Sequence, residues 1–321
     1  MSTGLLFYQK VYYYCITNST TMRRRDFLYT ASLASVALNI SAGKRVPDII
    51  TAGDLQNYLR SLHHVREPSV DRIVIGDPAT RIRKAGTCWM PYLKTLKEAV
   101  RLGINVMVVH EPAFYRHWDL DTNGEEMFST PSPAREQYME AVEAKKRFIE
   151  GNGLVIIRSH DVPDLIKSFG MPFAFGRKLG LNDEEIIGSK DYYNVYRIER
   201  TRASEVARRI ADRLKEYNQP GVAFYGEGDR YVSSVGLGTG AASDPQKYAE
   251  LNPDMCIAID DTVRTWIQTP YSEDTGKPLI VINHGTSEEA GMEMLNEHLT
   301  ANIPSLEFVH FSQGCGYKWI T

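Results

Sequence analysis

The sequence predicts an α/β fold, made of two related α/β halves with a mixed, mostly parallel sheet. Three observations support this prediction. Short apolar runs alternate with segments of helical periodicity, this rhythm occurs twice, and a middle region of different character separates the two occurrences. The 321 residues are 43% hydrophobic and 24% charged. That balance supplies a large core and excludes disordered, collagen-like and simple coiled-coil proteins.

In the first half, apolar runs predict three buried strands, at residues 72–76, 104–109 and 154–157. Helical spacing of apolar residues predicts the helices that separate them, at residues 91–102 and 133–151. A helix also precedes the first strand and runs to about Val65, with Thr51 or Asp54 as its N-cap. A strand–helix–strand order of this kind favours parallel pairing.

The second half is predicted from residue 191 onward. Strands are expected at residues 192–199, 222–225, 231–237, 255–259, 279–282 and 306–311, with a turn at residues 226–228. Helices are expected at residues 203–217, near 262–268 and at 288–301. The predicted organisation is therefore a first α/β half at residues 44–190 and a second at residues 191–321.

Residues 1–43 are predicted to be an N-terminal extension with an export signal. Residues 24–28 (RRDFL) are similar to the twin-arginine motif R-R-x-F-L. The apolar stretch that follows has about a dozen residues, fewer than the ~20 that cross a bilayer. We therefore expect export to the periplasm by the twin-arginine pathway, without a stable membrane anchor. The alternative is a basic-capped helix retained in a cytoplasmic protein.

Charge and cysteine content exclude several classes of function. The formal net charge is −3 and the body of the chain has no Lys/Arg run, so we expect no nucleic-acid partner. The four cysteines form no C-x-x-C pair. Neither a disulfide framework nor a cysteine zinc finger fits that spacing.

Histidine and carboxylate side chains follow three of the predicted strands. They are His110 and Glu111, then His160, Asp161 and Asp164, then His284 and Glu288. Because ligands bind at the carboxyl ends of strands in α/β sheets, these side chains are expected at one edge. Histidine and carboxylate ligands without thiolate suit Zn²⁺, Mn²⁺ or Fe²⁺.

Each of the three sites also has a structural interpretation. His110 alone fits a hydrogen-bonded structural histidine. Asp161 and Asp164 fit caps of the helix that begins near Val162, and the capping role is favoured for Asp161. Glu288 fits an acid that compensates the helix dipole. Thr286 and Glu289 have the spacing of a capping box, which would leave Glu288 free. The glycine-rich residues 236–240 are predicted to be a tight turn that lines the pocket rather than an anion-binding loop.

Three segments together resemble the Nif-three-like dinuclear metal-centre family, also labelled GTP cyclohydrolase I type 2. Residues 108–115 (VVHEPAFY) are similar to its strand-then-His-His-Pro segment. Residues 159–164 (SHDVPD) are similar to H-T-x-x-D, and residues 283–291 (NHGTSEEAG) to G-H-x-x-x-E-x-x-G. The resemblance spans about residues 48–311. It implies a two-metal site at the centre of the α/β fold and a homo-oligomer, commonly a hexamer.

Carried over position by position, the resemblance implies a set of four metal ligands, namely His110, Asp164, His284 and Glu288. The family's second consecutive histidine is Glu111 here. Glu111 is therefore either an anionic ligand or a catalytic general base. His160 matches a family histidine close to the site.

The leading hypothesis is a dinuclear metal-dependent hydrolase that acts on a small-molecule substrate through metal-activated water. It would hold two divalent ions (Zn, Mn or Fe) and act as a cyclohydrolase, an amidase or a phosphoesterase. The alternative is a non-catalytic, oligomeric metal-binding or storage protein. The same ligands would serve both.

Overall fold

Two β-sheets organise the chain, and the computed structural model describes residues 49–120 and 132–320. The predicted export signal lies outside the described residues. The strands are β1 (Ile73–Ile75), β2 (Ala85–Cys88), β3 (Val106–Val109), β4 (Val155–Arg158), β5 (Ile186–Lys190), β6 (Tyr193–Arg202), β7 (Ala223–Tyr225), β8 (Tyr231–Leu237), β9 (Met255–Ile259), β10 (Leu279–Ile282) and β11 (Phe308–Phe311).

The α-helices of the described residues cover the faces of these sheets. They are α1 (Ala52–Ser61), α2 (Leu93–Arg101), α3 (Pro133–Gly151), α4 (Asp161–Leu165), α5 (Met171–Lys178), α6 (Ala203–Leu214), α7 (Gln268–Thr275) and α8 (His284–Asn302). Of the two N-caps that the sequence offers for α1, Thr51 is the one used, in a capping box with Asp54, and the helix ends at Ser61 rather than near Val65. None of the helices among the described residues combines the length and the apolar character that a membrane span requires.

The first sheet has the strand order β1-β4-β3-β2-β11. The last four of these strands are parallel, and β1 pairs antiparallel with β4 at the edge. Strands β3 and β4 are buried along their whole length, as expected for strands covered on both faces. The side chains of α2 and α3 complete this core with Leu96, Val142 and Ile149.

The second sheet has the order β5-β6-β8-β9-β10-β7. Only the pairs β8–β9 and β9–β10 are parallel, so the sheet is mixed. The predicted turn at residues 226–228 does not join a hairpin, because β7 pairs with β10 rather than with β8. The Gly226 N–H instead donates to Glu273 on α7.

Strand β2 and helix α7 differ from the prediction. The sequence of β2 is AGTC, which lacks the apolar β-branched run that marks a strand, although β2 pairs with both β3 and β11. A Cβ atom at Gly86 would lie 2.6 Å from Met107 Sδ and 3.0 Å from the Phe311 ring, so a side chain there would displace these neighbours. The helix predicted near 262–268 begins at Gln268, after a 3-10 turn at Asp260–Thr262.

Helix α8 connects the two sheets. It follows β10 of the second sheet and precedes β11, which pairs with β2 of the first sheet. The last strand of the predicted second half therefore completes the first sheet. The described residues fall in one compact unit, and the N-terminal half of α8 is buried from Gly285 to Met292.

Candidate metal centre

The carboxyl ends of β3, β4, β9 and β10 deliver histidines and carboxylates to one place. His110 and Glu111 follow β3, and His160 follows β4. Asp164 lies on α4, while His284 and Glu288 lie in the first turns of α8. The edge predicted from the sequence therefore exists, and strands of both sheets contribute to it.

The structure brings all four predicted ligands together with Glu111. The Nε2 atom of His110 lies 3.3 Å from Glu288 Oε2 and 3.6 Å from Asp164 Oδ1. The Nε2 atom of His284 lies 3.0 Å from Glu288 Oε2 and 3.0 Å from Glu111 Oε1. Their role as metal ligands stays a prediction, but their geometry is compatible with it.

These side chains form three overlapping groups that could hold a metal ion. The members of each group offer ligand atoms within 4.8 Å of one another. The groups are His110–Asp164–Glu288, Glu111–His284–Glu288 and His110–Glu111–His160. Glu288, Glu111 and His110 each belong to two of them. A carboxylate that binds two cations would belong to two ligand groups in this way.

Buried polar atoms without hydrogen bonds indicate what these groups are suited to bind. Within the described residues, His110 Nε2, His284 Nε2 and Asp164 Oδ1 are buried and have no aligned hydrogen-bond partner. Such orphaned atoms are rare in folded proteins, because burial without a partner costs about 1–3 kcal/mol each. Lone pairs that converge without hydrogen bonds fit a cation, and the nitrogen and oxygen donors fit Zn²⁺, Mn²⁺ or Fe²⁺.

Two opposing effects set the pKa values of the cluster, namely burial, which disfavours the charged form, and the neighbouring carboxylates, which favour positive charge on the histidines. Burial alone would lower the pKa of His110, but the charges of Glu288 and Asp164 raise it to about 9. Burial raises the pKa of Asp164 to about 6. Burial also opposes protonation of His284, yet Glu288, Asp261 and Glu111 raise its pKa. The buried carboxylates therefore attract positive charge, either protons or metal cations.

Each histidine is oriented through its second nitrogen. Asp261 Oδ2 lies 2.7 Å from Nδ1 of His284, and Asp161 Oδ1 lies 2.9 Å from Nδ1 of His160. The backbone oxygen of Ser159 lies 3.2 Å from Nδ1 of His110. Partners of this kind fix the tautomer and leave Nε2 as the ligand atom.

Trp89 holds the shared carboxylate. Its indole N–H donates to Glu288 Oε2 at 2.8 Å, and its ring packs edge-on against the His284 ring. Sequence reasoning missed Trp89, Asp261 and Arg158, because no local motif surrounds them. Trp89 directly follows β2, a strand that the sequence does not predict, and Asp261 lies two residues after β9, so both follow the strand-end rule that identified the others.

Two predicted helix caps are wrong. Helix α8 begins at His284, so Thr286 is inside it, and Glu289 accepts from the Gly314 N–H instead of capping. The N-terminus of α4 is capped by Asp71, whose carboxylate accepts from three consecutive backbone N–H groups at residues 160–162. Asp161 is therefore free to bind His160 and the hydroxyl of Ser69.

The glycine-rich turn at residues 236–240 lies against the cluster. Gly240 has a φ of 59°, and a Cβ atom there would overlap Glu288 Oε1. A residue with a side chain would be strained at this φ and would displace the carboxylate. The turn therefore lines the site, as the sequence predicts.

Comparison with known proteins gives a family match over most of the chain. The family model described as Duf34/NIF3 (NGG1p interacting factor 3) matches residues 71–314. This range includes every residue of the candidate metal centre. No match was found among the curated proteins.

Solved structures have the same fold at low sequence identity. The Staphylococcus aureus hypothetical protein SA1388 is 16% identical with a TM-score of 0.67, over 85% of this chain and 100% of that chain. The Bacillus cereus protein related to NIF3 is 13% identical, with a TM-score of 0.62 over 87% and 100%. Reduced HcgD from Methanocaldococcus jannaschii is 16% identical, with a TM-score of 0.61 over 81% and 97%. These likenesses show a common mixed α/β fold.

Proposed function

This chain belongs to the Duf34/NIF3 family, and from this premise we propose that it is a dinuclear metal-dependent hydrolase acting on a small molecule. One observation carries the proposal. Glu288 lies in two ligand groups at once, with His110 and Asp164 on one side and Glu111 and His284 on the other. Two cations that share one carboxylate would account for both groups and for the orphaned nitrogen atoms.

The cations would be Zn²⁺, Mn²⁺ or Fe²⁺, since the donors are imidazole and carboxylate. When bound, such ions supply Lewis acidity and lower the pKa of water so that hydroxide is available at neutral pH. The protein's own contribution is the fixed ligand geometry. Asp261 and Ser159 orient the two histidines, and Trp89 fixes the shared carboxylate.

Proton transfer would fall to a side chain beside the ligands. Glu111 is one candidate if it is not itself a ligand. His160 is a second, because its ring stacks on His110 with 4.4 Å between centroids, and its Nδ1 atom is held by Asp161. Its side chain is 20% exposed, so a proton can reach solvent from it.

The reaction would be cyclohydrolase, amidase or phosphoesterase chemistry. In each of these reactions water attacks an electrophilic carbon or phosphorus, and a two-metal site supports such an attack. The family label favours a ring opening. Export would separate the protein from cytoplasmic nucleotides and would favour a substrate of the periplasm.

A metal store is the second candidate, and burial favours it. His110 is fully buried and Glu288 is 2% exposed, which suits retention of an ion more than rapid exchange of substrate. In a store, His160 would have no proton to transfer. The two candidates therefore differ in turnover and in the effect of His160.

The deciding experiment loads purified protein with Mn²⁺, Fe²⁺ or Zn²⁺ and offers phosphoesters, amides and cyclic amidines. Turnover that vanishes in Glu288→Ala supports the hydrolase. Two bound ions without turnover of any substrate support the store. A protein that binds no ion under these conditions contradicts both.

We also propose a homo-oligomer, a hexamer by resemblance, and export by the twin-arginine pathway. Light scattering after gel filtration measures the oligomer, and a monomer would contradict the first proposal. Replacing Arg24 and Arg25 by lysine should keep the protein in the cytoplasm. An unchanged location would contradict the second proposal.

A further inference from the structure

Arg158, the last residue of β4, places a guanidinium beneath the candidate metal centre. The residue is 1% exposed. Its Nε atom donates to the backbone oxygen of His110 at 3.0 Å, and Nη1 lies 3.3 Å from Asp119 Oδ2. Nη1 also donates to the backbone oxygen of His117. Three of its contacts thus hold the segment that begins with the predicted ligand His110.

The third guanidinium nitrogen has no hydrogen bond. Among the described residues, Arg158 Nη2 is buried and has no partner, and it lies 3.7 Å from Glu111 Oε2. This separation is within ion-pair range but too long for a hydrogen bond. A buried guanidinium is costly unless its donors and its charge are matched. Glu111 is the carboxylate that Nη2 faces.

The two oxygens of Glu111 have different surroundings. Oε1 lies 3.0 Å from His284 Nε2, inside the ligand group that also contains Glu288. Oε2 lies toward Arg158. The carboxylates of Glu111 and Glu288 both lie 3.0 Å from His284 Nε2 and therefore repel each other. Positive charge on more than one side of the pair offsets this repulsion.

We propose that Arg158 is a positioning residue that makes Glu111 a metal ligand through Oε1, by engaging Oε2 and balancing its charge. The inference rests on the two-cation centre proposed above and deepens it. It assigns Glu111 to metal binding rather than to general-base catalysis.

The test measures metal content and affinity rather than activity. Arg158→Lys keeps a positive charge for Asp119 but loses the forked guanidinium that reaches Glu111. We expect this variant to hold one cation as tightly as the native chain and the other about 10- to 100-fold more weakly. Calorimetric titration with Mn²⁺ and the visible spectrum of the Co²⁺-loaded protein measure the metal content and the affinities of the two positions.

Asp119→Asn is the matched control, since it removes the other carboxylate that Arg158 contacts. If Arg158 acts on Glu111, Asp119→Asn should lower stability but change neither Mn²⁺ affinity nor the Co²⁺ spectrum. A merely structural role would make both variants lose both cations together. Equal affinities in Arg158→Lys and the native chain would also overturn the proposal.

Glu111→Gln makes the test independent of how well an Arg158 variant folds. If Glu111 is a ligand, the Glu111→Gln variant should lose one of the two cations. Adding Arg158→Lys to this variant should then change its metal affinity little further. Retention of both cations in Glu111→Gln would overturn the inference while leaving the two-cation centre intact. A native chain without cations would instead refute the proposed function.

Discussion

Helix α8 carries two histidine–glutamate clusters, and they differ in one respect. Glu288 faces His110 and His284, whose Nε2 atoms lie 3.3 and 3.0 Å from its Oε2 atom without an aligned hydrogen bond. Glu289, the next residue, binds His310 Nε2 at 2.8 Å with one oxygen and the Gly314 N–H at 2.9 Å with the other. His310 Nδ1 is also occupied, by the hydroxyl of Thr87.

Both clusters have ligand atoms close enough to hold a metal, since Glu289, Glu293 and His310 also form such a group. Proximity alone therefore does not identify a metal centre. Glu293 accepts from the Tyr217 hydroxyl at 2.6 Å, so the second cluster is a satisfied hydrogen-bond network. The difference lies in whether the lone pairs are already used.

The largest effect is expected for Glu288→Gln, which removes the carboxylate whose Oε2 atom lies 3.3 Å from His110 Nε2 and 3.0 Å from His284 Nε2. We expect bound metal to fall from two ions to none, as measured by elemental analysis of dialysed protein. Glu289→Gln is the control. It should keep both ions and lower the free energy of unfolding by about 1–3 kcal/mol. Equal metal loss in the two variants would remove the distinction between the clusters.

Metal removal should make stability depend on pH. His110 has a pKa of about 9 in the folded, metal-free protein and an ordinary value of 6.5. The stabilisation from its proton is complete below pH 6.5 and is lost as pH rises through 9, by at most about 3 kcal/mol. The free energy of unfolding, measured with urea in EDTA at pH 6.5, 7.5 and 9, reports this loss of stabilisation. A constant or rising free energy of unfolding would contradict the prediction.

Asp261→Ala should weaken one cation only, because Asp261 orients His284 and contacts no other ligand histidine. We expect about a 10- to 100-fold loss of affinity at that position and none at the other. Mn²⁺ titration measures the two affinities. Asp274→Ala, an exposed acid on α7, removes the same charge and should change nothing.

The smallest effect is expected for Trp89→Phe, which keeps an aromatic ring beside His284 but loses the N–H donated to Glu288. Loss of one hydrogen bond to a carboxylate costs about 1.5 kcal/mol at the low end of its range, which predicts an affinity decrease of about 10-fold. Calorimetric titration with Mn²⁺ measures it. Trp266→Phe, at a side chain 77% exposed, is the control, and a matching decrease there would contradict the assignment.

Sequence reasoning could predict what depends on strand ends and periodicity. Helix α3 has the predicted bounds, because Ser132 caps it and Pro133 opens it. His110, Glu111 and His284 directly follow apolar strands, so the meeting of parallel strand ends brings them together. The mixed α/β fold and the family follow from the same signals.

Contacts between distant segments could not be predicted. Asp71 caps α4 from about 90 residues away, so the local sequence suggested Asp161 instead. Glu289 on α8 pairs with His310 in β11, and the spacing of these two residues in the sequence does not reveal the contact. Strand β2 was missed because its sequence, AGTC, has no apolar run, and at Gly86 the space for a side chain is taken by Met107 on the neighbouring strand.

The return of β11 to the first sheet has a consequence for synthesis. The ribosome releases β2, β3 and β4 early, but their sheet lacks one strand until residues 308–311 emerge. His284 and Glu288 also arrive late, so a nascent chain has incomplete ligand groups. Folding of the first sheet is therefore completed only once β11 has been synthesised, and a chain interrupted before β11 would expose the edge of β2 to aggregation.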